Sequence, residues 1–263
     1  MNQHAEHRHV LPARAASLSR RVLAQGKYET LAMLKNGEQL MMTLAFPLMA
    51  IVALNYTAFL DPWAEKYGMS RIDIAIPGVL ALCVLSTALT GQGIATGFDR
   101  RYGVLRFIST TPLGKGGLIA GKVIAVLSVL LIQYFLVGGL GQLLGWTATV
   151  PAVLLSLPTL LLGAACFTSL GLLIAGTVRA EATLAIVNMA WVILAAAGGI
   201  LLPTDRYPSW LGGLIDFLPS AALGNALRGD FTQHELLLIP HLILILSATV
   251  FGGLAVKFFK WSA

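Results

Sequence analysis

The sequence predicts an all-α polytopic membrane protein with six transmembrane helices, a short cytoplasmic amphipathic helix and an outer re-entrant amphipathic hairpin. Of its 263 residues, 57% are hydrophobic and only 11% are charged, whereas about 25% are charged in a soluble domain. A soluble core of this size cannot enclose so much apolar surface, so lipid has to cover part of it. Six apolar runs are each long enough to cross a hydrocarbon layer of about 30 Å.

The apolar runs favour helices over strands. None of them alternates apolar and polar residues with period two, as a strand of a membrane barrel would. We therefore expect six spans near 39–60, 74–97, 117–143, 149–177, 182–202 and 235–256. The polar, basic stretch over 1–38 is expected to form a separate tail, and residues 39–263 to form the transmembrane domain.

The distribution of lysine and arginine predicts the orientation. These residues concentrate in the tail, in the 98–116 loop, at Arg179 and at the C-terminal Lys257 and Lys260, whereas the opposite loops mix few basic residues with many acidic ones. The bias places both termini in the cytoplasm of a multi-pass protein of the cell membrane. The tail lacks an apolar signal-peptide region followed by a cleavage site, so we expect the mature protein to start on the cytoplasmic side. The net charge is +6, and the basic residues lie in short stretches beside the apolar runs. This arrangement suits binding to anionic lipid better than binding to nucleic acid.

The spans lack the groups that several function classes need. No Asp, Glu or Arg lies near the middle of a run, and Lys122 and Glu181 are close enough to an end to snorkel. An ion-coupled carrier needs ionisable residues at mid-depth, and a membrane hydrolase needs a nucleophile and a base. We predict no catalytic or metal-binding residues, and we interpret Cys83 and Cys166 as small buried hydrophobes.

The stretch Gly116–Lys122 has the glycine and lysine spacing of a phosphate-binding P-loop. The next residue is Val123, where the loop needs a hydroxyl to hold Mg²⁺, and no strand precedes it. We therefore expect a membrane helix here and no nucleotide site on this chain. Any transport by this protein must then draw its energy from elsewhere.

The segment 98–112 between the second and third runs has an amphipathic pattern. On a helical wheel an apolar side, interrupted by Arg101, lies opposite Asp99, Gly103 and Arg106. The apolar side consists of Phe98, Tyr102, Val104, Leu105 and Ile108, and Pro112 ends the pattern. Two interpretations stay open: a helix that rests on anionic lipid and a docking element for a soluble partner.

The outer segment 203–232 predicts two short helices. Pro208 can start the first, with an apolar arc opposite Asp216, and Pro219 can start the second, with Arg228 on its polar side. The apolar arc of the first consists of Trp210, Leu211, Leu214, Ile215, Phe217 and Leu218. Each helix is too short to span the membrane, so together they suggest a half-immersed hairpin. A solvated loop is the alternative, which the apolar load disfavours.

These segments resemble the ABC-2 type permeases, the membrane subunits of ATP-binding-cassette exporters related to the daunorubicin-resistance membrane component. The shared features are the order and spacing of three motifs within a six-span layout. The motifs are Asp99-Arg100-Arg101-Tyr102-Gly103-Val104-Leu105 to Thr111-Pro112-Leu113, then Gly121-Lys122, then the outer series from Leu202-Pro203 through Tyr207-Pro208-Ser209-Trp210-Leu211 and Leu218-Pro219-Ser220 to Ala226-Leu227-Arg228. Where the family commonly has Glu-Arg, this chain has Asp99-Arg100, which keeps the charge.

The resemblance implies a permease homodimer or heterodimer that carries two ATP-binding subunits, exports a hydrophobic or amphipathic cargo such as a drug or lipid, and contains an interfacial helix before residue 39. ATP and Mg²⁺ would bind the partner subunit and not this chain. Coupling to the ATPase would fall to Asp99, Arg100, Arg101, Tyr102, Gly103, Leu105 and Arg106. The exit path would involve Pro208, Trp210, Asp216, Pro219 and Arg228. The alternative is a non-transporting membrane scaffold or assembly factor with the same docking loop.

Overall fold

The computed structural model describes residues 16–204 and 207–261, and their regular structure is helical throughout. Residues 1–15 of the predicted tail, and Asp205 and Arg206 of the outer segment, lie outside the described residues. The α-helices are α1 (Leu18–Lys35), α2 (Gly37–Tyr56), α3 (Asp61–Tyr67), α4 (Arg71–Val84), α5 (Gln92–Arg101), α6 (Val104–Ser109), α7 (Gly114–Leu143), α8 (Val150–Thr177), α9 (Ala180–Ala197), α10 (Ser209–Asp216), α11 (Pro219–Arg228) and α12 (Leu238–Phe258).

Five helices are long and apolar enough to cross a membrane. They are the continuous rod from α4 to α5, and α7, α8, α9 and α12. The first predicted span instead contains a bend of 72° between Thr43–Tyr56 and Ala58–Tyr67, so the count is five, or six if this bent pair is one span. The helix ends because Thr57 has extended backbone angles, and Pro62 then starts α3 in a new direction.

The second span is longer than its apolar run predicts. It begins at Arg71, where the Ser70 side chain and Asp73 form a reciprocal capping box. It widens into a π-helical stretch over Leu85–Gly91 and continues to Arg101. Residues 98–101 are therefore the last turn of this span rather than the start of a separate helix.

The rod from α4 to α5 forms the centre of the bundle. Nearly nine-tenths of its most apolar stretch is buried inside the chain, where it packs against α2, α7, α8, α9 and α11. By contrast, α12 packs mainly on α8, and both α9 and α12 leave most of their apolar surface on the outside of the chain. This outer surface needs lipid or another subunit to cover it.

The segments rich in lysine and arginine lie together at one end of the bundle, which we call the basic end. It comprises α1, residues 98–116, residues 176–181 and residues 257–261. Phe259 packs there against Leu105 and Leu118, and the Lys260 backbone N–H donates to the Gly176 carbonyl at 3.0 Å. The opposite end comprises α3 and the described residues between 201 and 237.

Candidate functional site

Lys122 on α7 is completely buried at the basic end. Its Nζ lies 2.9 Å from the carboxylate of Glu29, 3.6 Å from Asp99 Oδ2 and 3.3 Å from Gln92 Oε1. We call these four residues the Lys122 cluster. The predicted snorkelling of Lys122 toward the surface is wrong, because α1 and α5 bring two carboxylates to the ammonium group inside the protein.

Two glycines allow α1 to approach α7 closely enough to deliver Glu29. A Cβ atom on Gly26 would lie 2.7 Å from Ile124 Cγ2, and a Cβ atom on Gly121 would lie 2.7 Å from Gln25 Cγ. Contacts this short do not occur between real side chains, so both positions need glycine. The Gly121-Lys122 pair, which resembles part of a phosphate loop in sequence, serves here to form a helix crossing and a buried ion pair.

The cluster connects three helices through further hydrogen bonds. Gln25 Nε2 donates to Glu29 Oε1 at 2.8 Å, and Gln92 Nε2 donates to Met33 Sδ at 3.0 Å. The side chain of Asp99 is about one-third exposed, so the cluster reaches from the interior to the edge of the basic end. It fixes α1 and α7 to the last turns of α5, immediately before residues 102–112.

The segment 98–112 is two helices and not the single helix predicted. The rod ends at Arg101, Gly103 has a left-handed φ of +79°, and α6 begins at Val104. Left-handed backbone favours glycine over any residue with a Cβ. A Cβ at position 103 would meet nothing within 4 Å, so inside the chain the reason for glycine is the left-handed turn and not lack of space.

The turn also divides the predicted apolar stripe. Leu105 and Ile108 point inward and pack with Leu113, Leu118 and Phe259. Tyr102, predicted on the same side as Leu105, is 72% exposed, and Phe107, absent from the predicted stripe, is 75% exposed. Together with exposed Arg106, they form a surface at the basic end that we call the aromatic patch, defined as Tyr102, Arg106 and Phe107.

Two of the predicted coupling arginines bind the chain itself. Arg100 is buried, and its guanidinium donates a hydrogen bond to the carbonyl of Val178. Arg101 forms an ion pair with Glu181 at the start of α9. Both therefore fasten the end of the second span to the connection between α8 and α9, while Tyr102 and Arg106 face outward.

The two predicted outer helices are present as α10 and α11, with Pro208 before the first and Pro219 at the start of the second. On α10 the apolar arc is split, because Ile215 is buried whereas Trp210 is 69% exposed. Leu214 and Phe217 are also exposed. Trp210 therefore lies on the outside of the described chain and not in its core. Most of α11 is buried, and it packs on α4, α8 and α12.

Polar residues join this helix pair to the end of α9. Asp216 is exposed and accepts hydrogen bonds from Thr204 Oγ1 at 2.6 Å and Asn225 Nδ2 at 3.3 Å. Arg228 donates to the carbonyls of Gly199 and Ile200 at 2.7 and 3.0 Å. Arg228 also borders a cavity of about 320 Å³ with mixed polar and apolar walls. The cavity is lined by Tyr67, Met69, Ile74, Pro203, Asn225, Arg228, Thr232, Gln233, Leu237 and Pro240.

Comparison with known proteins identifies the family. Residues 20–231 match the model of the ABC-2 type transporter family, a range that includes the Lys122 cluster, the aromatic patch and the outer helix pair. The chain is also 28% identical over 196 residues to YvfS of Bacillus subtilis (strain 168), a protein named as a transport permease. That alignment covers 70% of this chain and 75% of the relative. The predicted resemblance is confirmed, and the chain belongs to the ABC-2 type transporter family as a multi-pass membrane permease.

Proposed function

We propose that this permease is the membrane subunit of an ATP-driven exporter, and that a separate ATP-binding-cassette subunit docks on its aromatic patch. A partnership with such a subunit is a general property of the family. The main observation in support of this docking site is a pair of aromatic rings, Tyr102 and Phe107. Each ring is more than 70% exposed, and Arg106 lies beside them. Aromatic and arginine side chains dominate the binding energy of many protein interfaces.

The patch is connected to the transmembrane helices in a way that suits force transmission. Leu105 and Ile108 hold α6 on the core of the basic end. The rod from α4 to α5 ends one residue before Tyr102, and the Lys122 cluster binds that end of the rod to α1 and α7. A displacement of the patch would therefore move α5, and with it the centre of the bundle.

ATP hydrolysis is assigned to the partner. The Gly116–Lys122 stretch is helical, and Val123 follows it in place of the Mg²⁺-binding hydroxyl. The Lys122 ammonium group forms an ion pair with Glu29. We expect the isolated chain to show no Mg²⁺-dependent ATP binding, measured by equilibrium dialysis. The ATP-binding subunit should be a soluble protein with a P-loop and an LSGGQ-like segment.

The cargo is proposed to be hydrophobic or amphipathic and to leave at the opposite end. The cavity bordered by Arg228 has both apolar and polar lining residues, which suits such a molecule. The uncovered apolar faces of α9 and α12 provide surface for a second permease, in a homodimer or heterodimer, and for lipid.

Reconstitution tests this function. The permease and the ATP-binding subunit are incorporated together into proteoliposomes loaded with ATP and Mg²⁺ or left empty. We expect vanadate-sensitive ATP hydrolysis and ATP-dependent movement of a probe, either doxorubicin or a fluorescent phospholipid. Formation of a stable complex that hydrolyses ATP and moves neither probe would favour the scaffold over the exporter.

The basic end is proposed to face the cytoplasm, with both termini on that side. With Cys83 and Cys166, which are buried, replaced by alanine, a single cysteine is introduced at Ser209 or at Ser109. We expect an impermeant maleimide applied to intact cells to label the Ser209→Cys variant and not the Ser109→Cys variant. Both should react after permeabilisation, and the reverse pattern in intact cells would invert the orientation.

A further inference from the structure

Three polar side chains from separate elements meet in the half of the bundle nearer the opposite end. Thr159 lies on α8, Asp230 lies in a π-helical segment over Gly229–Gln233, and His241 lies in the first turn of α12. Thr159 Oγ1 is 2.6 Å from Asp230 Oδ2 and 2.9 Å from His241 Nε2. Thr159 and Asp230 are completely buried. We call these three residues the Asp230 cluster.

The hydrogen-bond donors and acceptors of this cluster determine how many protons it holds. His241 Nδ1 lies 2.8 Å from the Leu237 carbonyl, which can only accept, so Nδ1 carries a hydrogen. The Thr159 hydroxyl has one hydrogen but two neighbours. If His241 is neutral and Asp230 is ionised, both neighbours are acceptors, one hydrogen bond is lost, and a buried carboxylate has no compensating charge.

One additional proton removes this conflict. With the proton on His241, Nε2 donates to Thr159 and Thr159 donates to Asp230. With the proton on Asp230, the acid donates to Thr159 and Thr159 donates to His241. Both arrangements satisfy both hydrogen bonds. In addition, Asp230 Oδ1 is buried without a hydrogen-bond partner, which costs less when the carboxyl group is neutral.

Other ionisable groups near the cluster have partners of their own. From α7 the Tyr134 hydroxyl bonds to Ser156, and from α11 Arg228 binds backbone carbonyls. From α4, Arg71 pairs with Asp61, Asp73 caps the helix, and Cys83 is a buried thiol. His234 and Glu235, which follow the segment, are exposed, and α8 contributes hydroxyl groups but no charged residue. His241 is therefore the compensating group for Asp230 among these elements.

Two of the three elements joined by the cluster, the π-helical segment and the start of α12, also border the cavity described above. Thr232 and Gln233 lie two and three residues after Asp230, Leu237 accepts the bond from His241, and Pro240 precedes His241; all four border the cavity. We propose that the Asp230 cluster is a proton-binding site in which Asp230 and His241 share one proton through Thr159, and that this proton holds the cavity wall over 232–240 against α8. This inference does not depend on the direction of transport, the cargo or the ATP-binding partner.

The proton affinity of Asp230 supports the site. Burial raises the pKa of Asp230 to about 6, while the Thr159 hydrogen bond and the His241 charge act in the opposite direction. Because the folded pKa exceeds the unfolded value of about 3.9, the contribution of bound proton to stability is complete below about pH 4 and is lost as pH rises through 6.

Thermal unfolding of the purified permease in detergent between pH 4.5 and 8 tests the proton site. The wild-type Tm should fall by about 5 °C as pH rises through 6, and Asp230→Asn should remove this step. His241→Gln keeps a donor but loses the cation, so its step should move to higher pH by about one unit. Thr159→Val keeps both titratable groups and should shift the step in the same direction.

Asp216→Asn, at an exposed carboxylate of the same end, is the matched control and should keep the wild-type step. The site is overturned if Asp230→Asn retains the step, or if neither His241→Gln nor Thr159→Val moves it. If either His241→Gln or Thr159→Val fails to fold, the other variant alone serves for this comparison. The displacement of the pH step by a neighbouring substitution separates this site from a merely structural hydrogen bond, whose loss would change Tm equally at every pH.

A labelling ratio tests the effect on the cavity wall. Single cysteines are placed at Gln233, on the wall, and at exposed Gly213 on α10, in the chain without Cys83 and Cys166. We take the ratio of the thiol-labelling rate of the Gln233→Cys variant to that of the Gly213→Cys variant. This ratio cancels the intrinsic pH dependence of thiol reactivity. We expect this ratio to rise at least twofold from pH 5.5 to 7.5, and to stay constant when Asp230→Asn is added. A constant ratio without Asp230→Asn would show that the proton does not hold the wall.

Discussion

Replacement of Lys122 by methionine is expected to reduce the free energy of unfolding by about 3–5 kcal/mol. Methionine fills the space of the lysine side chain, so the loss comes from charge and not from volume. Glu29 is left buried without its cation, and Asp99 loses a neighbouring positive charge. Thermal unfolding in detergent should show Tm lower by roughly 10 °C.

A second substitution separates this effect from simple loss of packing. Glu29→Gln removes the stranded charge, so the Lys122→Met/Glu29→Gln double variant should regain at least half of the lost stability. Lys27→Met is the control, because Lys27 is an exposed lysine on α1, the helix that carries Glu29. It should change the free energy of unfolding by less than about 0.5 kcal/mol. A double variant that is less stable than Lys122→Met would contradict a direct Lys122–Glu29 pair.

The sequence alone does not reveal the Lys122 cluster because its members are far apart in the chain. Lys122 is 93 residues from Glu29 and 30 from Gln92. Hydropathy places Lys122 near the end of an apolar run, where a lysine ordinarily snorkels. What reverses that expectation is the approach of α1, which depends on Gly26 and Gly121. Periodicity within one helix carries no information about such a crossing.

The segment 98–112 shows a different kind of error. A helical wheel assumes the same rotation per residue throughout, and the left-handed turn at Gly103 breaks that assumption. The consequence is visible at Tyr102 and Leu105, which share a side on the wheel. In the structure Tyr102 is 72% exposed, whereas Leu105 is fully buried. Gly103 follows Arg100 and Arg101 after one intervening residue, and a glycine just past basic residues is a helix stop signal. That signal was sufficient to divide the helix at this position.

The membrane-spanning helices were predictable because each depends on local composition. Runs of about 20 apolar residues can hardly adopt another structure in lipid, and α7, α8, α9 and α12 lie close to their predicted ranges. The bend after Tyr56 and the π-helical stretch in the second span depend on packing against neighbours. The Asp230 cluster likewise joins residues 71 and 82 positions apart, so no sequence pattern contains it.

Replacement of Phe107 by alanine is expected to weaken binding of the ATP-binding subunit by about 30-fold, the effect of a 2 kcal/mol interface residue. The ring is 75% exposed, so its loss should leave the permease folded and inserted. The measurement is the amount of ATP-binding subunit that a tagged permease retains in detergent at increasing dilution. Arg106→Ala should act in the same direction, since it removes the charge beside the ring.

Phe217→Ala is the matched control, because this phenylalanine is 74% exposed at the opposite end of the bundle. It should retain the ATP-binding subunit as the wild type does. The lipid interpretation of residues 98–112 makes a different forecast. Attraction to anionic lipid depends on summed charge, at about 1 kcal/mol per basic residue, and Phe107→Ala leaves every charge in place. Equal retention of the partner by Phe107→Ala, Phe217→Ala and wild-type permease would therefore contradict docking on the aromatic patch. It would favour the interpretation that this segment rests on lipid.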